Sequence, residues 1–499
     1  MSEASLIDRL DGRAAERLLA RLSTGDGPPA ERQIFVNRTL RMESIRYIGF
    51  DLDWTLADYK RLPLEEATFE LAISRLIDHG GYPEAIRGAA FRPEFPRRGL
   101  LIDKEAGTVL GMSRHRYVNR AYHGRERLGR RELKNLYRYE PVRPTSDRYY
   151  HLDSLFELPE ANLYSELIEF AKRKALERSA REVFDDVRAA IDWVHGGGAL
   201  KKRVLAAPEV YLAPDEELVA ALLRLSLRNR KLFLVTNSDF FYADGICRHL
   251  FDGRLPGLDS WRQLFDLIVV DSGKPGFFRE RHPFVSLDTQ GLENGRVDTP
   301  SWGGVYSGGC LAGLTRLIGE PGERVLYVGD HIYGDIVSSK LESTWRTALV
   351  VHELEEEILK RRACAAAIAE QADLAERLSA LGGRMDHLRD VVRLLDGPQS
   401  PGTAPEPAEL TAARAEFRRV FSEHQTVLQH SGTLSDEIDA RFSPYWGAFF
   451  KQGPSKTRFA RQLETYACLY TSRVSNFGFY GSDHYFRVAH DPMMHELTG

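Results

Sequence analysis

The chain has 499 residues, 43% of them hydrophobic, which is enough to bury a large core and to build more than one domain. Lys plus Arg is 68 against 72 for Asp plus Glu, a formal net charge of -4, so no global field favours nucleic acid or anionic membrane and any anion site must be local. Cys247, Cys310, Cys364 and Cys468 are far apart and form no CxxC pair, which argues against a disulfide framework and a structural zinc site and makes a reducing cytoplasm the simplest setting.

In chain order, the opening MSEASLIDRLDGRAAERLL interleaves charges with its leucines, a pattern unlike the apolar stretch of a signal peptide. No uninterrupted apolar run approaches the length of a membrane span. Residues 46–50 are the first short apolar run that reads as a buried parallel strand, and 231–235, 265–270 and 324–328 have the same character. Helical patterns over 215–228 and 334–341 alternate with them, which argues for an α/β sheet covered on both faces. The interval from 58 to about 198 is too long for one crossover and must hold an inserted domain. Within it the spacing predicts a hairpin around 104–108 and an amphipathic helical stretch over 160–194. The basic segment 114–138, with nine Arg and Lys residues among its tyrosines, reads as a solvated face or a cap surface near an anionic substrate rather than a nucleic-acid site. Further on, helical patterning over about 354–395 resumes at 409, and the proline-rich GPQSPGTAPEP between them predicts a mobile loop over 397–407.

Chemistry concentrates at the four predicted strand ends. The first ends in Asp51-Leu52-Asp53-Trp54-Thr55-Leu56, where alternation along extended backbone sends both carboxylates the same way. Taken alone, this is equally a solvated loop turn. The second ends in Thr236-Asn237-Ser238, groups able to donate to phosphate oxygens or to cap a helix. The third leads into Asp271-Ser272-Gly273-Lys274-Pro275, whose lysine can neutralise a bound phosphoryl group. The fourth ends in Gly329-Asp330-His331-Ile332-Tyr333-Gly334-Asp335. Hard carboxylate oxygens suit magnesium, and His331 does not make a zinc site, because no second histidine stands at ligand spacing.

That ordered set of DxDxT, TNS, K and GDxxxxD resembles the haloacid dehalogenase superfamily of phosphotransferases. Longer stretches resemble its cytosolic purine 5′-nucleotidase family, which is specific for IMP and GMP. They include FVNRTLRMESIRYIGFDLDWTLADYK (35–60), DVRAAIDWVH (186–195), FLVTNSDFFY (233–242), FDLIVVDSGKPGFF (265–278), VYSGG (305–309), GDHIYGDI (329–336), WRTALV (345–350) and FRVAHDPMMHE (486–496).

The resemblance implies a Rossmann-like core with a parallel sheet, formed by 1–57 and 199–353, an inserted α+β cap at 58–198, a short cap-like insertion at about 276–304 and a C-terminal helical extension over 354–499. It implies Asp51 as nucleophile, Asp53 as general acid and then base, and Mg2+ held by Asp51, Asp53 and Asp330, with Asp335 at or just behind the coordination sphere. Physical reasoning agrees: Asp51 against magnesium stays ionised, while Asp53 can protonate a leaving oxygen and later activate water. Thr236 and Lys274 would meet the phosphoryl charge. Substrate would be met by Phe156, Glu157, Arg188, Asp192, His195 and Lys201 of the cap side and by Thr236, Asn237, Ser238 and Lys274 of the core. The implied activity is hydrolysis of a nucleoside monophosphate, with nucleoside phosphotransfer as a companion activity; a phosphatase for another small phosphomonoester shares the chemistry. A cytoplasmic homo-oligomer, dimer or tetramer, is implied, with neither nucleic acid nor membrane as partner.

The departures from the family carry expectations too. Glu157 stands where an amide is common, and its carboxylate could pair with the N1 and N2 donors of guanine. Gly196-Gly197-Gly198 replaces an aromatic after His195, which removes a stacking surface. At the family's ATP effector site Gln462 and Tyr466 match, but Thr465 and Leu341 replace basic residues, so little or no ATP activation is expected.

Overall fold

The computed structural model describes residues 12–20, 27–138, 142–143, 145–173, 175–254, 257–396 and 407–488. Of the loop expected at 397–407 only Pro407 is described, as the first residue of a helix, and the last part of the motif at 486–496 lies outside the described residues.

The main unit, residues 1–355 and 455–499, is built on a ten-stranded sheet. Numbered within this sheet, its strands are β1 (Phe35–Val36), β2 (Tyr47–Phe50), β3 (Lys231–Val235), β4 (Leu267–Val270), β5 (Phe284–Leu287), β6 (Glu293–Val297), β7 (Val305–Gly308), β8 (Val325–Gly329), β9 (Arg346–Val350) and β10 (Leu469–Thr471). Their spatial order is β1-β10-β9-β8-β2-β3-β4-β7-β5-β6. From β10 to β7 neighbouring strands are parallel, and β1, β5 and β6 add antiparallel edges. The inner strands are apolar on both faces, as a sheet covered on both sides requires; every residue of β4 and β8 is buried.

Register then decides where the chemistry falls. Phe50 of β2 pairs with Val328 of β8 and with Leu234 of β3, so Asp51, Thr236 and Asp330 leave the sheet at one carboxyl edge. Gly49 makes this close packing possible, because a Cβ there would lie 2.3 Å from the Phe233 ring of β3 and 2.8 Å from the Tyr327 ring of β8.

The segment between β2 and β3 carries its own five-stranded antiparallel sheet, in the order Glu126–Arg127, Val118–His123, Thr108–Met112, Leu100–Asp103, Tyr149–His151. Its hairpin turn is folded by Asp103, whose carboxylate accepts from the amides of Glu105 and Ala106 and from the Arg148 fork at 2.9 and 2.7 Å. The basic segment supplies the edge of this sheet and a helix, Arg130–Tyr137, whose Tyr137 and Leu133 pack on Leu101, Leu110 and Ala121. The helical stretch expected over 160–194 is made of two helices, α1 (Leu158–Lys172) and α2 (Ala180–Gly196), followed by α3 (Ala199–Ala206). The break has a local cause: Ser179 caps α2 and Glu182 returns a bond to the Ser179 amide at 2.8 Å, a capping box that restarts the helix. After β3 comes α4 (Phe240–Phe251), capped by Asp239.

A second compact unit, residues 356–454, contains α5 (Ala365–Asp396) and α6 (Pro407–Phe442). Leu374 and Leu381 on α5, and Val420, Val427 and Leu434 on α6, recur every seventh residue and form the buried seam of a helical hairpin. Arg377 pairs with Glu423 at 2.7 Å and Gln371 with Ser431 at 2.8 Å, which sets the two helices antiparallel. The four cysteines are buried and free, and among the described residues no helix is long and apolar enough to cross a membrane.

Candidate active site

β2 ends at Phe50 and the chain soon turns. The Leu52 carbonyl accepts from the amides of Thr55, Leu56 and Ala57, and Trp54 adopts a left-handed φ of 57°. The turn follows Asp53 directly, and the side chains of the two acids of the DLD motif take different partners.

Asp51 joins Asp330 and Asp335. The three are buried, and each offers a carboxylate oxygen within 4.8 Å of the others. Lys274 sits among them, its Nζ 2.8 Å from Asp51 Oδ1 and 2.7 Å from Asp335 Oδ1. Tyr327, from the middle of β8, takes a further bond from Lys274 Nζ at 3.0 Å and donates to the Val235 carbonyl at 3.1 Å. Burial pushes the Asp51 carboxyl up to about 7 despite Lys274, with Asp335 and Asp53 adding to the rise. Burial also drives Asp330 well above the carboxylate range, against the pull of Arg98. Burial opposes the charge on Lys274, but Asp335 and Asp51 outweigh it and hold the ammonium well above its ordinary value. Asp330 Oδ2 has no hydrogen-bond partner. Three buried carboxylates face the Lys274 ammonium and, at 3.7 Å from Asp330, the edge of the Arg98 guanidinium; with one oxygen lacking a hydrogen bond they are a donor set a hard divalent cation takes, and among the described residues no histidine joins it. His331 instead caps the wide π turn Ile332–Val337, its Nδ1 accepting from the amides of Tyr333 and Gly334. Gly329 lets this turn close onto the strand, since a Cβ there would meet Asp335 Oδ2 at 2.4 Å.

The Asp53 carboxylate is not in that cluster. It accepts from the Tyr59 hydroxyl at 2.6 Å and from Ser238 Oγ at 2.6 Å, and Tyr59 meets the Tyr242 hydroxyl at 2.9 Å. Burial raises the Asp53 carboxyl, and the Ser238 and Tyr59 donors work against the rise. Thr236 is fully buried at the end of β3 and accepts from the Ser238 amide at 3.1 Å. Asn237 is spent on the lysine loop: its Nδ2 donates to the Lys274 carbonyl at 2.9 Å, and its Oδ1 accepts from the Lys274 amide at 2.7 Å and from Ser272 Oγ at 2.8 Å. Asn237 thus fixes where Lys274 starts.

Asp53, Asn237 and Ser238 also line a cavity of about 480 Å³ whose opposite wall comes from α2, α3 and the turn before α1. Phe156, on that turn, meets the rings of Trp54, Tyr59 and His195 edge-on at 6.0, 6.1 and 5.3 Å. His195 is kept neutral: burial, seconded by Arg188, pushes its ring down to about 4, and its Nε2 has no partner. Arg188 forks onto Asp192, at 2.6 Å from Nη2, and also reaches Glu160 Oε2 at 2.8 Å. Lys201 bridges to Asp239 at 2.5 Å. Glu157 also lines the cavity, but its oxygens accept from Tyr150 Oη at 2.8 Å and from the amides of Asp153 and Ser154 at 2.7 and 2.9 Å. It is a helix cap before it is a reader of any base edge. Gly197 has a packing reason of its own, because a Cβ there would lie 2.6 Å from the Trp193 carbonyl.

Sequence reading missed a fifth strand terminus. β9 and Val351 are followed by His352-Glu353, polar groups directly after an apolar run, the same signal used at the other four. His352 Nε2 bonds the Trp54 carbonyl at 2.6 Å and so holds the loop that carries Asp53, and Glu353 receives the Arg98 guanidinium. Tyr59 and Tyr242, which orient Asp53, were missed as well.

Residues 34–498 match the 5′ nucleotidase family. The chain is similar to a 5′-nucleotidase domain-containing protein of Dictyostelium discoideum, 29% identical over 462 residues that cover 89% of this chain and 71% of that protein. It is also similar to the 5′-nucleotidase domain-containing protein 2 of Homo sapiens (30% identical, covering 93% of this chain and 85% of that one) and of Rattus norvegicus (31%, 93% and 80%). With a family match that spans both halves of the sheet, the carboxylate cluster and the cavity wall, this chain belongs to the 5′ nucleotidase family and is a hydrolase of that class.

Proposed function

We propose that the chain is a magnesium-dependent 5′-nucleotidase that releases phosphate from purine nucleoside 5′-monophosphates through an aspartyl-phosphate on Asp51, with a nucleoside hydroxyl able to take the place of water. The observation that carries this reading is the meeting of Asp51, Asp330, Asp335 and Lys274 at one sheet edge, beside a cavity lined by Asp53 and an aromatic wall. Asp51, Asp330 and Asp335 would hold the cation, which when bound supplies positive charge to the phosphoryl oxygens.

The chain's own groups then divide the work. The Asp51 carboxylate bonds to phosphorus as the P–O5′ bond breaks, and the departing oxygen takes the proton from Asp53. Asp53, now ionised and held by the Tyr59 and Ser238 hydroxyls, takes a proton from water. The water oxygen bonds to phosphorus, the P–O bond to Asp51 breaks, and phosphate leaves with Asp51 restored. Lys274 and the Thr236 hydroxyl meet the charge on the transferring oxygens. Phe156 and neutral His195 offer an aromatic wall to the base, and Arg188 and Lys201, each ion-paired with an acid, offer N–H donors along the same cavity.

The test is phosphate release from nucleotides and sugar phosphates, with and without magnesium, by the wild type and by Asp51→Asn. Expected are magnesium-dependent turnover of IMP and GMP and none by the variant. Preferential turnover of sugar phosphates would move the reading to a phosphatase for another small phosphomonoester.

A further inference from the structure

Arg98 stands in the run EFPRRGL, just before the first strand of the inserted sheet, where a solvent-facing side chain is the ordinary expectation. Its side chain is instead 0% exposed and reaches the carboxylate cluster. Nη1 donates to the Asp330 main-chain carbonyl at 2.8 Å and lies 3.7 Å from Asp330 Oδ2. Nε and Nη2 fork onto the two Glu353 oxygens at 2.9 and 2.5 Å, so one guanidinium ties the inserted segment to the ends of both β8 and β9. The backbone behind it is equally constrained. Gly99 has a φ of +83°, and a Cβ there would come 2.8 Å from Phe459 Cβ, while the Arg98 guanidinium lies 5.3 Å from the Phe459 ring centre.

Asp330 Oδ2 accepts no hydrogen bond and has only the 3.7 Å ion pair with Arg98, so the same guanidinium grips the Asp330 backbone and faces its carboxylate. We propose that Arg98 is a positioning residue that aims Asp330 at the cation, so that the cation site is complete only while the inserted domain is seated on the core. The proposal rests on the cation reading of the Asp51, Asp330 and Asp335 cluster. Charge alone makes the opposite prediction, since a guanidinium this close repels a divalent ion and its removal would leave binding unchanged or tighter.

The experiment is calorimetric titration of the metal-stripped full chain with Mg2+ or Mn2+, without nucleotide, for the wild type, Arg98→Lys, Glu353→Gln and the double variant, each first checked for folding by circular dichroism. Lysine keeps the charge but cannot fork onto Glu353 and reach the Asp330 carbonyl together. Each single variant should weaken cation binding by about 10- to 100-fold. The double variant should be no weaker than the worse single, because both cut the same fork. Nucleotide KM at saturating cation should stay at the wild-type value. Wild-type or tighter cation binding by folded Arg98→Lys, or additive losses in the double, would overturn the proposal; if Arg98→Lys does not fold, Arg98→Gln decides, since charge alone predicts tighter binding for it and lost positioning predicts weaker. A wild type that binds neither ion removes the cation reading itself and this proposal with it, whereas a binding wild type with unaffected variants removes the proposal alone.

Discussion

Replacing Gly329 by alanine would test how tightly the site is packed without altering any group assigned to substrate or cation. Gly329 ends β8 with no left-handed φ, so the backbone itself accepts alanine. The new Cβ would stand 2.4 Å from Asp335 Oδ2 and 2.5 Å from its Cγ. Asp335 is pinned from the other side by Lys274 Nζ at 2.7 Å and by the His331 amide at 3.2 Å. Restoring ordinary contact needs a shift of about 1 Å, the scale at which a misplaced group costs about 10²-fold in rate. That is about 2.7 kcal/mol of barrier. Overpacking of this kind costs about 1–3 kcal/mol of stability. Phosphate release at saturating nucleotide and magnesium gives kcat, and a thermal melt on the same sample gives stability. A folded Gly329→Ala protein with kcat within about threefold of wild type, well under 1 kcal/mol of barrier, would refute the reasoning.

Glu65 is 2% exposed and paired to Arg61 at 2.5 Å, and burial, against the pull of Arg61, pushes its carboxyl up to about 7. The folded state holds this proton more tightly than the unfolded chain, so the stabilisation is full at pH below about 4.5 and is lost as pH rises through about 7. Glu65→Gln should remove this pH dependence, on the order of 3 kcal/mol between pH 4 and 8 by denaturant unfolding, and an unchanged slope would contradict it. Glu157→Gln should lower stability by about 1 kcal/mol through the weakened cap and leave the GMP to IMP turnover ratio unchanged; a shifted ratio would restore a base-reading role. Millimolar ATP should leave activity within about twofold, because Leu341 and Thr465 offer a polyphosphate no charge, and Leu341 is a 59% exposed apolar side chain. Strong stimulation would overturn that expectation.

The parts of the fold that were legible are those where local pattern and tertiary demand coincide. β3 runs over Lys231–Val235 as its apolar run indicates, because a strand buried on both faces needs nothing but apolar residues. The helical stretch expected over 160–194 is filled by two helices, and the capping box of Ser179 and Glu182 marks where the second begins. The helix predicted over 334–341 starts as the π turn Ile332–Val337, whose wider spacing follows from the His331 cap and the inward Asp335, not from any residue preference. At the site, Asp51, Lys274 and Asp330 follow apolar runs directly and could be seen. Arg98 could not, since its partners lie 232 and 255 residues further along the chain and its own neighbours resemble a solvent-exposed turn.

β10 lies between β9 and β1, and Phe35 and Val36 join the sheet only by pairing with Tyr470 and Leu469. β1 therefore has no hydrogen-bonded neighbour in the sheet until more than four hundred later residues have been made. Any message cut short before the codon for Leu469 would yield a product with the outer edge of β9 bare, an open ledge on which another nascent strand could settle.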